Sequence, residues 1–375
     1  MNATSTSSLR STARRVLVSL SLICAASPAI SVPAYHLDIL FGTGERFGSG
    51  SDINNAGQVV GTTGNTHDPL GIIWNNKSPT PLYSSLCCTY TETWAHAVNS
   101  FGQVAGEDTY QAAVWTSQTA IMLPSAGSTQ STALGINDAG QVVGFSGNFD
   151  STGRATLWQN GSAIDLGTLG GSYSAAYDIN GSGWVVGASQ LAGSDSFRAS
   201  LWRDGTVTAL ASPSGESSYA YGINESGQIA GQAGSRAAVW TAGALSLIGA
   251  PGSAASDINN VGQVVGSFTD PESESANSRA TLWSDGTAID LNSFLSQADL
   301  ATGWSLQSAS AINDHGWITG SAYNDSLGTR YAYLLSVVPA VPEARSLLLM
   351  LAGLGVIGWT LKRTRGSRQD FMAAA

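Results

Sequence analysis

The stretch "DINNAGQVVG" (52–61) comes back six times, as "AVNSFGQVAG" (97–106), "GINDAGQVVG" (135–144), "DINGSGWVVG" (178–187), "GINESGQIAG" (222–231), "DINNVGQVVG" (257–266) and "AINDHGWITG" (311–320). Every copy has Asn at its third position and Gly three residues later. A chain that repeats one short turn this often repeats a structural unit. The turn glycines, at 57, 102, 140, 183, 227, 262 and 316, are 45, 38, 43, 44, 35 and 54 residues apart. The mean is about 43, the length of a four-stranded propeller blade.

Four strand signals recur in each unit. In the fifth, "SSYAYGIN" (217–224) reads as strand A, "GQIAGQA" (227–233) as B, "RAAVW" (236–240) as C and "ALSLIGA" (244–250) as D. Trp closes strand C in six units, at Trp74, Trp115, Trp158, Trp202, Trp240 and Trp283, while the seventh reads "RYAYLL". Six D signals follow a C strand: "PLYSSL", "TAIMLP", "SAIDLG", "TVTALA", "ALSLIG" and "TAIDLN". The seventh unit has none, yet an orphan strand of the D type, "YHLDILF" (35–41), precedes the first unit. Pairing it with the seventh unit closes a ring and removes a sheet edge. The expectation is an all-β, seven-bladed β-propeller of four-stranded blades over residues 35–338, closed by its N-terminal strand.

The repeated turn has some look of a calcium loop. Such a loop needs oxygen ligands at alternate positions. Here the fifth position is Ala56, Phe101, Ala139, Ser182, Ser226, Val261 or His315, and the first is Asp only at 52, 178 and 257. The turn reads instead as an A–B hairpin, with Gly where φ is positive and Asn bonding the turn backbone. No metal or other cofactor is expected. His36, His67, His96 and His315 are scattered without ligand spacing.

Composition bounds the partners. Between residues 35 and 340 there are 8 basic and 24 acidic residues, a charge near −16. That argues against nucleic acid or an anionic membrane surface as partner. Before this core, Arg10, Arg14 and Arg15 precede an apolar run from Val16 to Ala26 and then small residues. Residues 1–34 read as a secretory signal peptide, cut after Ala34 or after Ser31. Cys87 and Cys88 are then the cysteines left, and adjacency is poor geometry for a bridge. They read as two small buried hydrophobes, with a strained vicinal disulfide as the alternative.

The repeat resembles the HAF family of extracellular repeat proteins. Its pattern is matched best by "DLGTLGGSYSAAYDINGSGWVVG" (165–187), and "DLNSFLSQADLATGWSLQSASAINDHGWITG" (290–320) is similar to that family's terminal repeat. The His-Ala-Phe of the name is absent, strand C carrying "RATLW", "RASLW" or "RAAVW". The resemblance implies architecture and no particular activity.

Residues 339–375 are of another kind. Val341, Pro342 and Glu343 precede an apolar run from Ser346 to Leu361, followed by Lys362, Arg363 and Arg365. As a helix the run spans about 24 Å, short of a ~30 Å hydrocarbon core, and the basic residues should stay cytoplasmic. The three parts in this order resemble a PEP-CTERM sorting signal, with Ala344 in place of its second proline. The resemblance implies a helix (346–361) in the inner membrane, an exosortase-type processing enzyme as partner, and delivery to the cell surface or an exopolysaccharide matrix. A plain tail anchor is the alternative.

No catalytic constellation is evident. There is no G-x-S-x-G elbow and no nucleophilic Cys beyond the adjacent pair. A–B and C–D turns are short and share one face of a propeller; the variable B–C and D–A connections share the other, where binding develops on rigid scaffolds. On that face the candidate ligand residues are Phe149, Asp150, Asp195, Phe197, Glu272, Glu274 and Trp304, aromatics to stack on sugar rings and carboxylates to bond them. The expected role is binding or structural, towards extracellular polysaccharide or a surface protein. A polysaccharide-active hydrolase or lyase on the same face is the alternative, favoured by a convergent, buried carboxylate pair at the channel mouth.

Overall fold

A computed structural model describes residues 34–42, 48–65, 68–85, 92–124, 127–147, 153–272 and 277–338. They form seven four-stranded antiparallel sheets. Blade one, for example, pairs Gly48–Ile53, Val59–Asn65, Asp68–Asn75 and Ser78–Pro81 in that order. The A strands touch one another in sequence, and blade seven touches blade one, so they ring a central axis. The chain is a seven-bladed propeller.

Its closure is by the N-terminal strand. Ala34–Leu40 lies outermost in the seventh sheet, antiparallel to Thr329–Val338, with His36 opposite Ser336 and Leu40 opposite Ala332. Leu40 is buried, and Tyr35, Leu37 and Ile39 pack against the core of blade seven.

The repeat has a physical reason at each of its fixed positions. The turn glycine takes φ between +73° and +83° in all seven copies, which a β-branched residue would not adopt. The last glycine of each repeat lies in strand B, where a Cβ would overlap a strand A carbonyl oxygen, that of Thr132 over Gly144 for instance. Beside it, strand A carries a bulge in every blade, as between Ala133 and Gly135. In strand C the alanine is fully buried, and its N–H donates to a Ser hydroxyl of the next A strand: Ala112 to Ser131, Ala155 to Ser174, Ala199 to Ser218 and Ala237 to Ser253. The strand C tryptophans are buried between blades. Leu335 stands where the seventh would be, and it is equally buried.

Two placements differ from the sequence reading. The D strand of blade one is Ser78–Pro81 and not "PLYSSL". Pro79 and Pro81 are accepted because the strand is outermost and has ladder positions without a partner. The sequence reading makes the B–C connections variable loops of the second face; in blade one that connection is only residues 66–67, since Asn65 pairs with Asp68. The connection after Asp290 contains a 3₁₀ turn, Leu291–Phe294, and a short helix, Gln297–Ala301, capped by Ser296. Residues 1–33, the Cys87–Cys88 pair and residues 339–375, with the sorting motif and the Ser346–Leu361 run, lie outside the described residues. Among the described residues no helix is long and apolar enough to cross a membrane.

Candidate functional site

On the turn face the seven repeat asparagines form a closed circle. Each side-chain nitrogen donates to the backbone carbonyl of the next blade's asparagine: Asn54 to Asn99, Asn99 to Asn137, Asn137 to Asn180, Asn180 to Asn224, Asn224 to Asn259, Asn259 to Asn313, and Asn313 back to Asn54, at 2.9–3.2 Å. The side-chain oxygen meanwhile accepts from its own turn, in blade three from Ala139 and Gln141. One residue type thus closes its hairpin and ties it to its neighbour. The circle frames a shallow polar pocket of about 260 Å³. In five blades the same amide also donates to the turn glutamine, so most of this mouth's polar groups are spent on the fold.

Within the ring, Asp52, Asp178 and Asp257 are half-buried. Each accepts from its own blade and from the next: Asp52 from Ile53 and Val98, Asp178 from Ile179 and Ile223, Asp257 from Ile258 and Ile312. The preceding blade leaves room at the same position: a Cβ on Gly222 would come within 2.9 Å of Asp257 Oδ1, and one on Gly135 within 3.1 Å of the Asp178 Cα. Burial pushes Asp178 up to about 6 and Asp257 up to about 7, with the other axial carboxylates adding repulsion; burial also raises Asp52. Burial drives the His96 imidazole down to about 4. Among the described residues, no group of His, Cys, Asp and Glu is placed to hold a metal ion. The three carboxylates are turned sideways onto backbone, so they do not make the convergent pair that glycoside hydrolysis requires.

The loop face differs. A pocket of about 650 Å³ lies between blades six and seven, a size in the usual range for small-molecule sites. Its walls are Asp270, Asn277, Arg279, Asp290, Asn292, Gln307, Tyr323, Asp325 and Arg330, with Ser278, Ser305 and Leu306 between them. Several are fixed by their own bonds. Arg330 Nε donates to Gln307 at 2.8 Å, and Asn292 bridges Asp290 and both backbone groups of Leu306. Planar polar groups held this way present donors and acceptors in fixed directions, which suits a ligand rich in hydroxyls.

A second feature runs across blades four and five. Tyr173, Phe197, Tyr219, Tyr221 and Tyr177 form a continuous chain of rings with centroids 5.6, 5.8, 6.1 and 5.4 Å apart. Phe197 and Tyr219 are stacked, as are Tyr219 and Tyr221. Four of its rings stand on A strands and Phe197 on a C strand, and burial raises the Tyr177 hydroxyl and takes that of Tyr221 up to about 12.

The residues singled out from sequence are placed unevenly. Phe197 belongs to the ring chain, with Asp195 exposed beside it. Glu272 is exposed next to the polar pocket, its N–H donating to Asp270. Trp304 adjoins the same pocket but packs edge-on against Tyr331 at 5.6 Å and against the blade-seven core, so it holds a loop base. Phe149, Asp150 and Glu274 lie outside the described residues. Of the four described candidates, Phe197 and Asp195 lie together on blade four, and Glu272 and Trp304 adjoin the polar pocket between blades six and seven. The fold brings together Arg279, Asp290, Gln307, Asp325 and Arg330, which sequence reasoning passed over. Arg279 and Asp290 sit inside the repeated "RATLW" and "AIDL" segments and read there as scaffold.

Neither a family model nor a curated protein matches the sequence. Solved structures that match include a puromycin-hydrolyzing peptidase of Mycobacterium tuberculosis, 13% identical with a TM-score of 0.44; the match covers 70% of this chain and 47% of the peptidase, about half its length. A protein assigned as a gluconolactonase is 10% identical, with a TM-score of 0.42 over 81% of this chain and 92% of that one. One assigned as TolB from Agrobacterium tumefaciens is 12% identical, with a TM-score of 0.36 over 82% and 98%. At such distances none of them bears on what this chain binds.

Proposed function

We propose that this chain is an exported binding module, carried out by residues 1–34, held in the inner membrane by residues 346–361, and released by an exosortase-type enzyme near Val341–Glu343. Its destination is the cell surface or an exopolysaccharide matrix, and its ligand is a polyhydroxylated one, a glycan of that surface. The resemblance to HAF repeats and to the PEP-CTERM signal supports the route. The observation that carries the ligand class is the pocket between blades six and seven, where Asp290, Asn292, Gln307 and Arg330 present planar donors and acceptors held by bonds of their own, beside the freer Arg279 and Asp325. The acidity of the core disfavours polyanionic glycans, leaving neutral or amino sugars. Asp270, Asp290 and Asp325 border the same pocket, so a hydrolase or lyase is the second reading.

One preparation tests both halves. The protein is isolated from its own host, weighed intact, and applied to a glycan array beside Asp325→Asn and Arg330→Ala. The expected result is loss of about 30 C-terminal residues, counted from the end of the motif, recovery outside the inner membrane, and binding that the variants weaken at least tenfold. A protein that keeps its tail is an anchored one. Bound glycan that gains new reducing or unsaturated ends marks an enzyme instead.

A further inference from the structure

The blades provide an internal comparison at their tryptophans. In four of them the indole N–H donates to a carbonyl at the end of the preceding blade's D strand: Trp74 to Phe41, Trp115 to Tyr83, Trp158 to Pro124 and Trp240 to Ala211. Gly167 and Gly249 occupy the corresponding places before Trp202 and Trp283. Their carbonyls are diverted, that of Gly167 to the Ser174 hydroxyl and that of Gly249 to Arg236. Trp202 and Trp283 are accordingly left with buried indole N–H groups that have no hydrogen-bond partner. Such groups are rare and call for an explanation.

At Trp283 the diverted strand also leaves space. Ala244–Pro251 stays paired to its own blade as far as Pro251 opposite Arg236. An apolar pocket of about 250 Å³ lies beside it, walled by Phe268, Trp283, Ala288 and Thr281 and bounded by Arg279 and Asp290. Those last two residues also wall the polar loop-face pocket, so the two spaces meet at one ion pair. That pair is loose. The same Arg and Asp in blade three, Arg154 and Asp165, make two contacts of 3.1 Å with the arginine 38% exposed. Arg279 makes one contact of 3.5 Å to Asp290 and is 65% exposed. The guanidinium is held only weakly between the two spaces and has donors to spare.

We infer that the cleft between blades five and six is an apolar annex of the glycan pocket, and that the ligand is a sugar bearing a compact apolar substituent. This rests on the reading of the polar pocket as a glycan site. The hydroxylated part bonds Arg279, Asp290 and the polar wall. The substituent lies against Phe268 and Trp283.

The test is calorimetric titration of the purified full-length chain with methyl and hexyl β-glycosides of glucose, galactose, mannose and N-acetylglucosamine. For the sugar that binds, the hexyl form should bind at least tenfold tighter. Ala288→Phe, at an exposed position on the annex wall, should abolish that advantage and leave the methyl glycoside unchanged. Trp283→Phe should lower hexyl affinity, because it takes away part of the apolar wall. Trp202→Phe should change neither affinity. Equal binding of the two forms overturns the annex while the glycan pocket stands. An advantage that survives Ala288→Phe places the alkyl group elsewhere and also overturns it. Failure of all eight glycosides to bind removes the pocket reading and the annex with it.

Discussion

On the turn face, seven asparagines bond one another in an unbroken circle. On the loop face, Thr109 and Tyr110 alone separate strands B and C of blade two, whereas in blade six strand B ends at Thr269 and strand C begins at Ser278. Both faces come from the same repeat, so the contrast separates two demands on it. Where each blade must meet the next in the same way, the sequence repeats. Where it departs from repetition, the fold does not need it, and a pocket has formed. The same logic holds within the repeat: Gly167 and Gly249 break the tryptophan clasp, and the break at Gly249 adjoins an open cleft.

The comparison predicts that damage to the ring costs stability and damage to the loop face does not. The largest effect should come from opening the ring. Deleting residues 34–40 removes buried Leu40 and exposes the surfaces that Tyr35, Leu37 and Ile39 cover. Fully burying such side chains is worth ~1.5–3 kcal/mol each, so the loss should be about 6 kcal/mol, roughly 10 °C in melting temperature. Calorimetry should find a single lowered transition, because the blades share one circle of contacts. An unchanged transition would mean that blade seven stands without its fourth strand.

A smaller cost is expected at one asparagine of the circle. Asn137 accepts from Ala139 and Gln141 and donates to Asn180. Asn137→Ala leaves these groups partly buried and unpaired, for about 3 kcal/mol by chemical denaturation. Asp325→Ala on the loop face should stay within about 0.5 kcal/mol of wild type. Equal costs at the two positions would erase the distinction between the faces. A chelator should affect neither, since the asparagine works through backbone bonds.

Much of the ring was legible because its signals are local. Asn and Gly three residues apart mark a hairpin wherever they occur, and the missing seventh D strand pointed to Ala34–Leu40 as its complement. The D strand of blade one was misplaced because Pro79 and Pro81 argue against a strand until its outermost position is known. The inter-blade half of the asparagine's work was invisible, since its acceptor lies 35–54 residues away around the ring. So was the strand B glycine's reason, which is a carbonyl of another strand. The polar pocket was hidden differently. Arg279 and Asp290 are repeat residues, and only the looseness of their contact distinguishes them from Arg154 and Asp165.

The last expected effect is a pH dependence, and it arises at the turn-face end of the A strands. Asp178 and Asp257 bind their protons more tightly in the ring than in the unfolded chain, reaching about 6 and about 7 through burial, with mutual repulsion added. A carboxyl raised in this way contributes stability that is complete below the unfolded value of ~3.9 and is lost as pH rises through the folded one. Asp314 on the turn face acts with the opposite sign. Despite burial, which raises it, bonds from Asn260 and Asn55 hold it below the usual range, so its contribution fades only in acid. Between pH 5 and 8 the axial pair should dominate, and stability should fall with rising pH by up to about 4 kcal/mol. Asp257→Asn keeps an oxygen for one of the two N–H groups, from Ile258 or Ile312, and cannot ionise, so it should flatten that slope. The same change at Asp325 should leave the slope as it is. If the wild-type melting temperature is constant from pH 5 to 8, the axial carboxylates are ionised throughout, and the ring admits more water to its axis than this packing allows.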